Sequence, residues 1–250
     1  MQLPFGHRPP SPSARTSEAL KQIPKIRSVA DALDVAMEIP ATRVDAYVRK
    51  LIAEHPDATI ADLESIATRS YIARAGALSG AVGAGAAVPG AGTAVATGLT
   101  FAELASFYAN TSVYVLGMAK LHGIPTDNMA KRRALVASAL LGDEGAKIVS
   151  DQLGLSTLTW ARSQLNSLSS PTLSAVNRRL TKFAAKRAAT KTTSRAFGRL
   201  FPFGIGAAVG YFSGRKTAKG VVEGVRTALG PVRKGTAADV AAEMDEAVTA

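Results

Sequence analysis

The fold of this chain is decided between Arg74 and Lys120, where the sequence reads RAGALSGAVGAGAAVPGAGTAVATGLTFAELASFYANTSVYVLGMAK. Glu103 is the one charged residue inside this run, and the segment VPGAG at residues 88–92 interrupts it. Small side chains let two helix backbones approach closely, and a Pro-Gly pair ends one helix before the next begins. The run therefore predicts a tightly packed helical hairpin.

Helix signals recur along the rest of the chain, whereas the alternation typical of strands is absent. Thr59 and Asp62 have the spacing of a capping box, and the helix that they begin leads into the uncharged run. We predict the remaining helices at residues 24–38, 42–54, 93–120, from Thr126, at 143–153, 156–168, from Ser170, at 220–229 and from Thr236. The predicted fold class is all-α: a compact multi-helix bundle with a Gly/Ala-rich helical hairpin and a second Gly-rich apolar helix, at residues 200–214.

Four segments follow from these signals. Residues 1–16 contain four prolines and no apolar core, so they predict a disordered arm rather than a signal peptide. Residues 17–58 predict N-terminal helices, residues 59–230 the main helical domain, and residues 231–250 a linker with an acidic tail helix. Without a signal peptide, we expect the protein to stay in the cytoplasm, peripheral to the cytoplasmic membrane.

The uncharged run is a poor candidate for two membrane spans. A span needs about 20 apolar residues, but the arm before Pro89 has 14 residues without a charge and reaches about 21 Å. The other arm carries Glu103, and an acid at mid-membrane costs about 2.5–3.5 kcal/mol. Inserting the large apolar side chains between residues 75 and 102 into the membrane is favourable by about 2–4 kcal/mol, which nearly equals this cost. A hairpin inside a soluble core and a partly inserted hairpin both remain open.

Glycines spaced by four residues present smooth helix faces that favour close helix contact. Such pairs occur in the uncharged run and again near residues 204–214, so we expect the two segments to pack on each other. The candidate turn and packing residues are Gly76, Gly80, Pro89, Gly90, Gly92, Gly206, Gly210 and Gly214.

The positive charge belongs to one segment. Between Gln152 and Val222 there is no Asp or Glu against twelve Lys and Arg, while the rest of the chain has 18 basic and 19 acidic residues. A basic helix beside aromatic residues is attracted to anionic lipid headgroups by about 1 kcal/mol per cation. The candidate residues for binding an anionic surface are Arg178, Arg179, Lys182, Lys186, Arg187, Lys191, Arg195 and Arg199.

Three other interpretations of this charge stay open. Nucleic acid is a weaker alternative, because no zinc finger or RNA-binding motif accompanies the basic residues, which face several sides of a helix. A protein partner could bind the same surface. A solvated face is the third interpretation, with the tail helix balancing the charge through its acids, Asp239, Glu243, Asp245 and Glu246.

No catalytic or metal-binding pattern accompanies these features. The chain has no cysteine, and its three histidines, His7, His55 and His122, have no metal-ligand spacing. At the end of a predicted helix, a cationic His122 would interact favourably with the helix dipole. Glu103 is the candidate functional polar residue of the apolar run. We expect no cofactor, no metal and no enzymatic activity.

Three segments resemble the EcsC protein family: residues 71–80 (YIARAGALSG) leading to FAEL at 101–104, residues 115–124 (VLGMAKLHGI), and residues 200–210 (LFPFGIGAAVG). The resemblance covers about residues 60–229, although His122 stands where the family often has Tyr and Phe203 where a small apolar residue is usual. It implies no catalytic residue, because EcsC proteins have no established activity; the family takes its name from a protein encoded beside an ABC transporter. We therefore expect a non-catalytic, membrane-associated accessory protein linked to a transport system, or else a soluble helical scaffold.

Overall fold

The chain is described by a computed structural model at residues 31, 39–85, 93–126, 128–156, 158–165, 167–197 and 205–249. Helices dominate these residues, and strand pairing within them is confined to one isolated bridge, between Thr59 and Thr236. The all-α prediction is confirmed. The helices are α1 (Ala41–Glu54), α2 (Ile60–Gly85), α3 (Thr93–Leu121), α4 (Met129–Leu141), α5 (Asp143–Leu153), α6 (Ala161–Gln164), α7 (Ser170–Phe197), α8 (Ile205–Leu229) and α9 (Ala237–Thr249).

Three local expectations differ from the structure. Asn128, not Thr126, caps α4, because its side-chain oxygen accepts from the backbone amides of Ala130 and Lys131 at 2.9 and 3.1 Å. The helix expected over residues 156–168 is reduced to the single turn of α6. The glycine-rich segment and the helix expected at 220–229 form one continuous α8, since Gly214 is buried by packing and does not end the helix.

Helices α2 and α3 form an antiparallel pair joined through two buried tyrosines. The rings of Tyr71 and Tyr114 stack with their centroids 4.2 Å apart and nearly parallel planes. Tyr71 shares a 2.8 Å hydrogen bond with Thr111, and Tyr114 shares one of 2.9 Å with Thr68. Burial raises the pKa of Tyr114 to about 12, so both the ring and its hydroxyl serve as neutral packing groups. The connecting residues 86–92, with the predicted turn at Pro89, Gly90 and Gly92, lie outside the described chain.

Helices α2 and α8 pack antiparallel with their backbones in contact at one end. A Cβ built on Gly210 would lie 2.3 Å from the carbonyl oxygen of Ser79, and one built on Gly214 would lie 2.5 Å from that of Ala75. Gly210 also faces the Cα of Gly80, and Gly76 faces the side chains of α8. We call these four glycines, 76, 80, 210 and 214, the glycine contact. A side chain at Gly210 or Gly214 would force the helices apart.

Helix α8 has neighbours on several sides. Besides α2 it packs on α4, where a Cβ on Gly224 would lie 2.6 Å from the carbonyl oxygen of Ala139. Helix α4 in turn packs against α7 through the buried side chains Leu173, Val176 and Leu180. Helix α4 therefore lies between α8 and α7, the two helices that carry most of the basic segment.

Helices α1 and α9 add to the same buried core. Val48 of α1 and Val240 of α9 belong to the cluster that includes Leu63 of α2. The backbone amide of Ile60 donates to Gly235 and that of Ala237 donates to Ala58, so the chain entering α2 pairs with the chain entering α9. Burial of these side chains, at about 1.5–3 kcal/mol each, holds both helices on the bundle.

Candidate functional site

Four cations of α7 share its exposed side. Arg178, Lys182 and Lys186 follow one another at intervals of four residues, which places them in one row on a helix. Arg179 is exposed beside this row and donates to the side-chain oxygen of Gln152 at 2.9 Å. We call these four residues the basic row. The expectation that the cations face several sides of the helix does not hold for these four, because the opposite side of α7 is buried against α4.

The other predicted surface cations are less fully described. Arg187, Lys191 and Arg195 belong to α7, but their side chains lie outside the described part of the structure, as does Arg199 altogether. The side chain of Glu103 on α3 is likewise outside it, and Gly206 is described as part of the α8 backbone alone. These candidates stay predictions.

Three acids of the tail helix have partners close to α9. Glu243 forms a two-pronged pair with Arg233 at 2.6 and 2.7 Å, and Asp245 pairs with Arg49 of α1 at 2.8 Å. The Asp239 carboxylate accepts the backbone amide and the hydroxyl of Thr236, and these bonds lower its pKa. The charge balance expected between the tail and the basic segment stays a prediction.

A shallow, open surface along the exposed side of α8 is lined by residues of that helix. Arg215 donates to the hydroxyl of Tyr211 at 2.9 Å, and its guanidinium carbon lies 5.5 Å from the centre of that ring. Phe212 is 69% exposed, an unusual state for a phenylalanine. We call this feature the α8 groove. Its lining residues are Tyr211, Phe212, Arg215, Lys216 and Lys219.

A buried ionic cluster lies at the far end of the α2–α8 pair from the glycine contact. His122, at the end of α3, is 2% exposed and contacts Glu64 of α2 through Nε2 at 3.3 Å. Arg162 of α6 lies 3.1 Å from His122 Nδ1, and Arg226 of α8 lies 3.7 Å from the other Glu64 oxygen. These four residues, three from α2, α6 and α8 and one directly after α3, form what we call the ionic cluster.

The two ring nitrogens of His122 face different partners. A guanidinium can donate but not accept, so Nδ1 is the acceptor in the contact with Arg162. Nε2 faces the Glu64 carboxylate, which is an acceptor. The ring therefore lies between one donor and one acceptor from other helices. The favourable interaction of a cationic His122 with the helix dipole stays a prediction.

The ionic cluster fits a structural role. Its imidazole is enclosed and both ring nitrogens are occupied, so no free nitrogen is left for proton transfer to a substrate. Sequence reasoning missed the cluster because its members are far apart along the chain. The one available signal was Glu64 on the apolar side of an amphipathic helix, one residue after buried Leu63.

The length and polarity of the helices bear on membrane contact. Within the described residues, none of the helices combines the length with the apolar character that a bilayer crossing requires.

Comparison with known proteins adds no identification: no protein-family model matches the chain, and neither does a curated protein or a solved structure. The resemblance to EcsC proteins stays a prediction from the sequence.

Proposed function

We propose that this protein is a non-catalytic accessory or regulatory protein that attaches peripherally to the cytoplasmic face of an anionic membrane. The resemblance to EcsC proteins extends this proposal to a link with a transport system. The alternatives are a soluble scaffold that binds a protein partner and a protein that binds nucleic acid.

The basic row is the observation that carries the proposal. Its four cations project from the side of α7 opposite to the core, and no acid occurs in the sequence between Gln152 and Val222. Each cation near an anionic bilayer contributes about 1 kcal/mol. Glu243 and Asp245 of α9 pair with Arg233 and Arg49, which lie outside the basic row.

The test is sedimentation with vesicles of phosphatidylglycerol and phosphatidylcholine at low salt. Replacing the four cations of the basic row by Gln should weaken binding by about a hundredfold or more. The matched control replaces four exposed cations elsewhere and changes the net charge equally. The control cations are Arg43, Lys50, Arg69 and Lys234.

Equal losses in the two variants would mean that net charge rather than the basic row governs binding. Failure of the unaltered protein to sediment with anionic vesicles would overturn the membrane proposal and favour the soluble scaffold. A single-stranded oligonucleotide that binds more tightly than the vesicles, and depends on the basic row, would favour nucleic acid.

A further inference from the structure

The α8 groove combines an apolar projection with cations on one helix side. Phe212, Lys216 and Lys219 are spaced by four and then three residues, so their side chains leave α8 in nearly the same direction. All three are exposed. A phenyl ring in water exposes apolar surface without compensation, and its position among ammonium groups is typical of residues that enter a lipid headgroup boundary.

Arg215 is held in place before any ligand arrives. Its guanidinium donates to Tyr211 Oη and lies over that ring, so part of its conformational freedom is already lost. Arg215 also lines the α8 groove, where an anion can approach it. An arginine fixed in this way binds a phosphate with two parallel hydrogen bonds at a lower entropic cost than a free lysine.

Gly76 makes the position of Arg215 possible. A Cβ at residue 76 would lie 2.8 Å from Arg215 Cγ and 2.9 Å from Tyr211 Cε2, closer than normal contact. The Tyr211–Arg215 pair therefore lies on helix α2 at the point where α2 has no side chain. A glycine of the predicted packing set thus also shapes the α8 groove.

Further apolar groups are exposed at this end of the α2–α8 pair. Val209 of α8 and Leu78 of α2 are both partly open to solvent, in addition to Phe212. A soluble phosphate would leave these three side chains in water, and a nucleic-acid base would stack on the one ring. A bilayer can take up aliphatic and aromatic groups together, while its phosphates meet the cations.

We infer that the α8 groove binds the phosphate of an anionic phospholipid through Arg215, Lys216 and Lys219, while Phe212 enters the acyl region. This inference rests on the membrane association proposed above and adds a specific site to it. The basic row supplies long-range attraction to the surface. The α8 groove supplies a short-range contact that includes an apolar component.

The two contributions differ in their response to salt, and this difference provides the test. Binding to phosphatidylglycerol vesicles is measured at low and at high salt for the unaltered protein, Phe212→Ser, Lys216→Gln/Lys219→Gln, and the basic-row variant. Phe212→Ser should weaken binding about tenfold or more at both salt concentrations, because apolar transfer is not screened. The loss in the basic-row variant should shrink at high salt. Met129→Ser, at an exposed apolar residue of α4, is the matched control and should bind normally.

A fluorescence measurement reports the position of the ring directly. The chain has a single tryptophan, Trp160, which is fully buried and gives a constant background. Phe212→Trp should shift its emission to the blue with anionic vesicles and be quenched by lipids brominated on the acyl chain. Met129→Trp should show neither change, and inorganic phosphate should not produce the shift in Phe212→Trp.

The outcomes separate the two proposals. If Phe212→Ser and the lysine variant bind vesicles normally while the basic-row variant does not, the α8 groove is not a lipid site and the membrane proposal stands. If inorganic phosphate displaces the protein from vesicles, the groove binds free phosphate instead. If Phe212→Ser loses oligonucleotide binding but keeps vesicle binding, the groove is a base-stacking site. If the unaltered protein binds no vesicles, both proposals fail.

Discussion

The two ends of the α2–α8 pair are held by different forces. At the glycine contact, backbone atoms meet directly and charged pairs play no part in the described contact. At the ionic cluster, one carboxylate oxygen of Glu64 contacts His122 and the other contacts Arg226. The first end depends on the absence of side chains, and the second on the presence of four particular ones. One pair of helices therefore has two kinds of sensitivity to substitution.

The largest loss of stability should come from a substitution at the glycine contact. Gly210→Val places side-chain atoms where the carbonyl oxygen of Ser79 lies, so α2 and α8 must separate. We expect the free energy of unfolding to fall by about 3 kcal/mol, the upper part of the range for overpacking. Urea denaturation followed by circular dichroism measures this loss.

Gly220→Val is the matched control in the same helix. A Cβ at residue 220 meets no atom within 4 Å, so the helix propensity of valine decides the outcome. Stability should stay the same or rise by up to about 0.5 kcal/mol. Similar losses at residues 210 and 220 would contradict a backbone contact at the first of them.

An intermediate effect should come from the ionic cluster. Glu64→Ala removes the acceptor of His122 Nε2 and leaves a buried N–H without a partner, which costs about 1–3 kcal/mol. Glu64→Gln should lower the stability less, since the amide oxygen can still accept a hydrogen bond from His122. Glu54→Ala is the control, because Glu54 forms an exposed pair with Lys50, and this pair contributes about 0.5 kcal/mol or less. Equal losses at residues 54 and 64 would show that the cluster does not hold the helices.

The smallest effect should come from the caps that begin α2 and α9. Hydrogen bonds from Thr59 lower the pKa of Asp62, and those from Thr236 lower that of Asp239, both from 3.8. A lowered pKa in the folded state means that the stabilisation is complete above about pH 4 and is lost as the pH falls further. The double variant Asp62→Asn/Asp239→Asn should therefore be less stable than the unaltered protein at pH 7. In acid the two proteins should have the same free energy of unfolding.

The urea midpoint between pH 2 and pH 7 tests this expectation. Asp57→Asn changes an exposed carboxylate outside both capping boxes and serves as control. A difference between the double variant and the unaltered protein that stays constant over this pH range would rule out the two carboxylates as the source.

The glycine contact could be predicted from sequence because its signal is local. Gly76 and Gly80, and again Gly210 and Gly214, are each separated by one helical turn within apolar sequence, and that spacing alone defines a smooth face. The hairpin and the all-α class follow from the same local patterns. The continuity of α8 could not be predicted, because glycine ends an exposed helix but is tolerated where another helix covers it.

The ionic cluster could not be predicted because its signal is not local. Arg162 belongs by sequence to the basic segment and was assigned no role apart from charge, while His122 was assigned to a helix end. Their meeting depends on how α3, α6 and α8 pack around α2. The α8 groove was missed for a related reason: Phe212 and Arg215 differ from other residues of the segment in their exposure and in their contact with Gly76.

The bridge between Thr59 and Thr236 has a consequence for biosynthesis. The backbone amide of Ile60 finds its partner at Gly235, so the start of α2 has no acceptor for this group until residue 235 has left the ribosome. A nascent chain that already contains α1 to α8 would still expose the N-terminal edge of α2. Ribosome-bound chains ending before Thr236 should therefore be cleaved by protease near residue 59, and released chains that include α9 should resist.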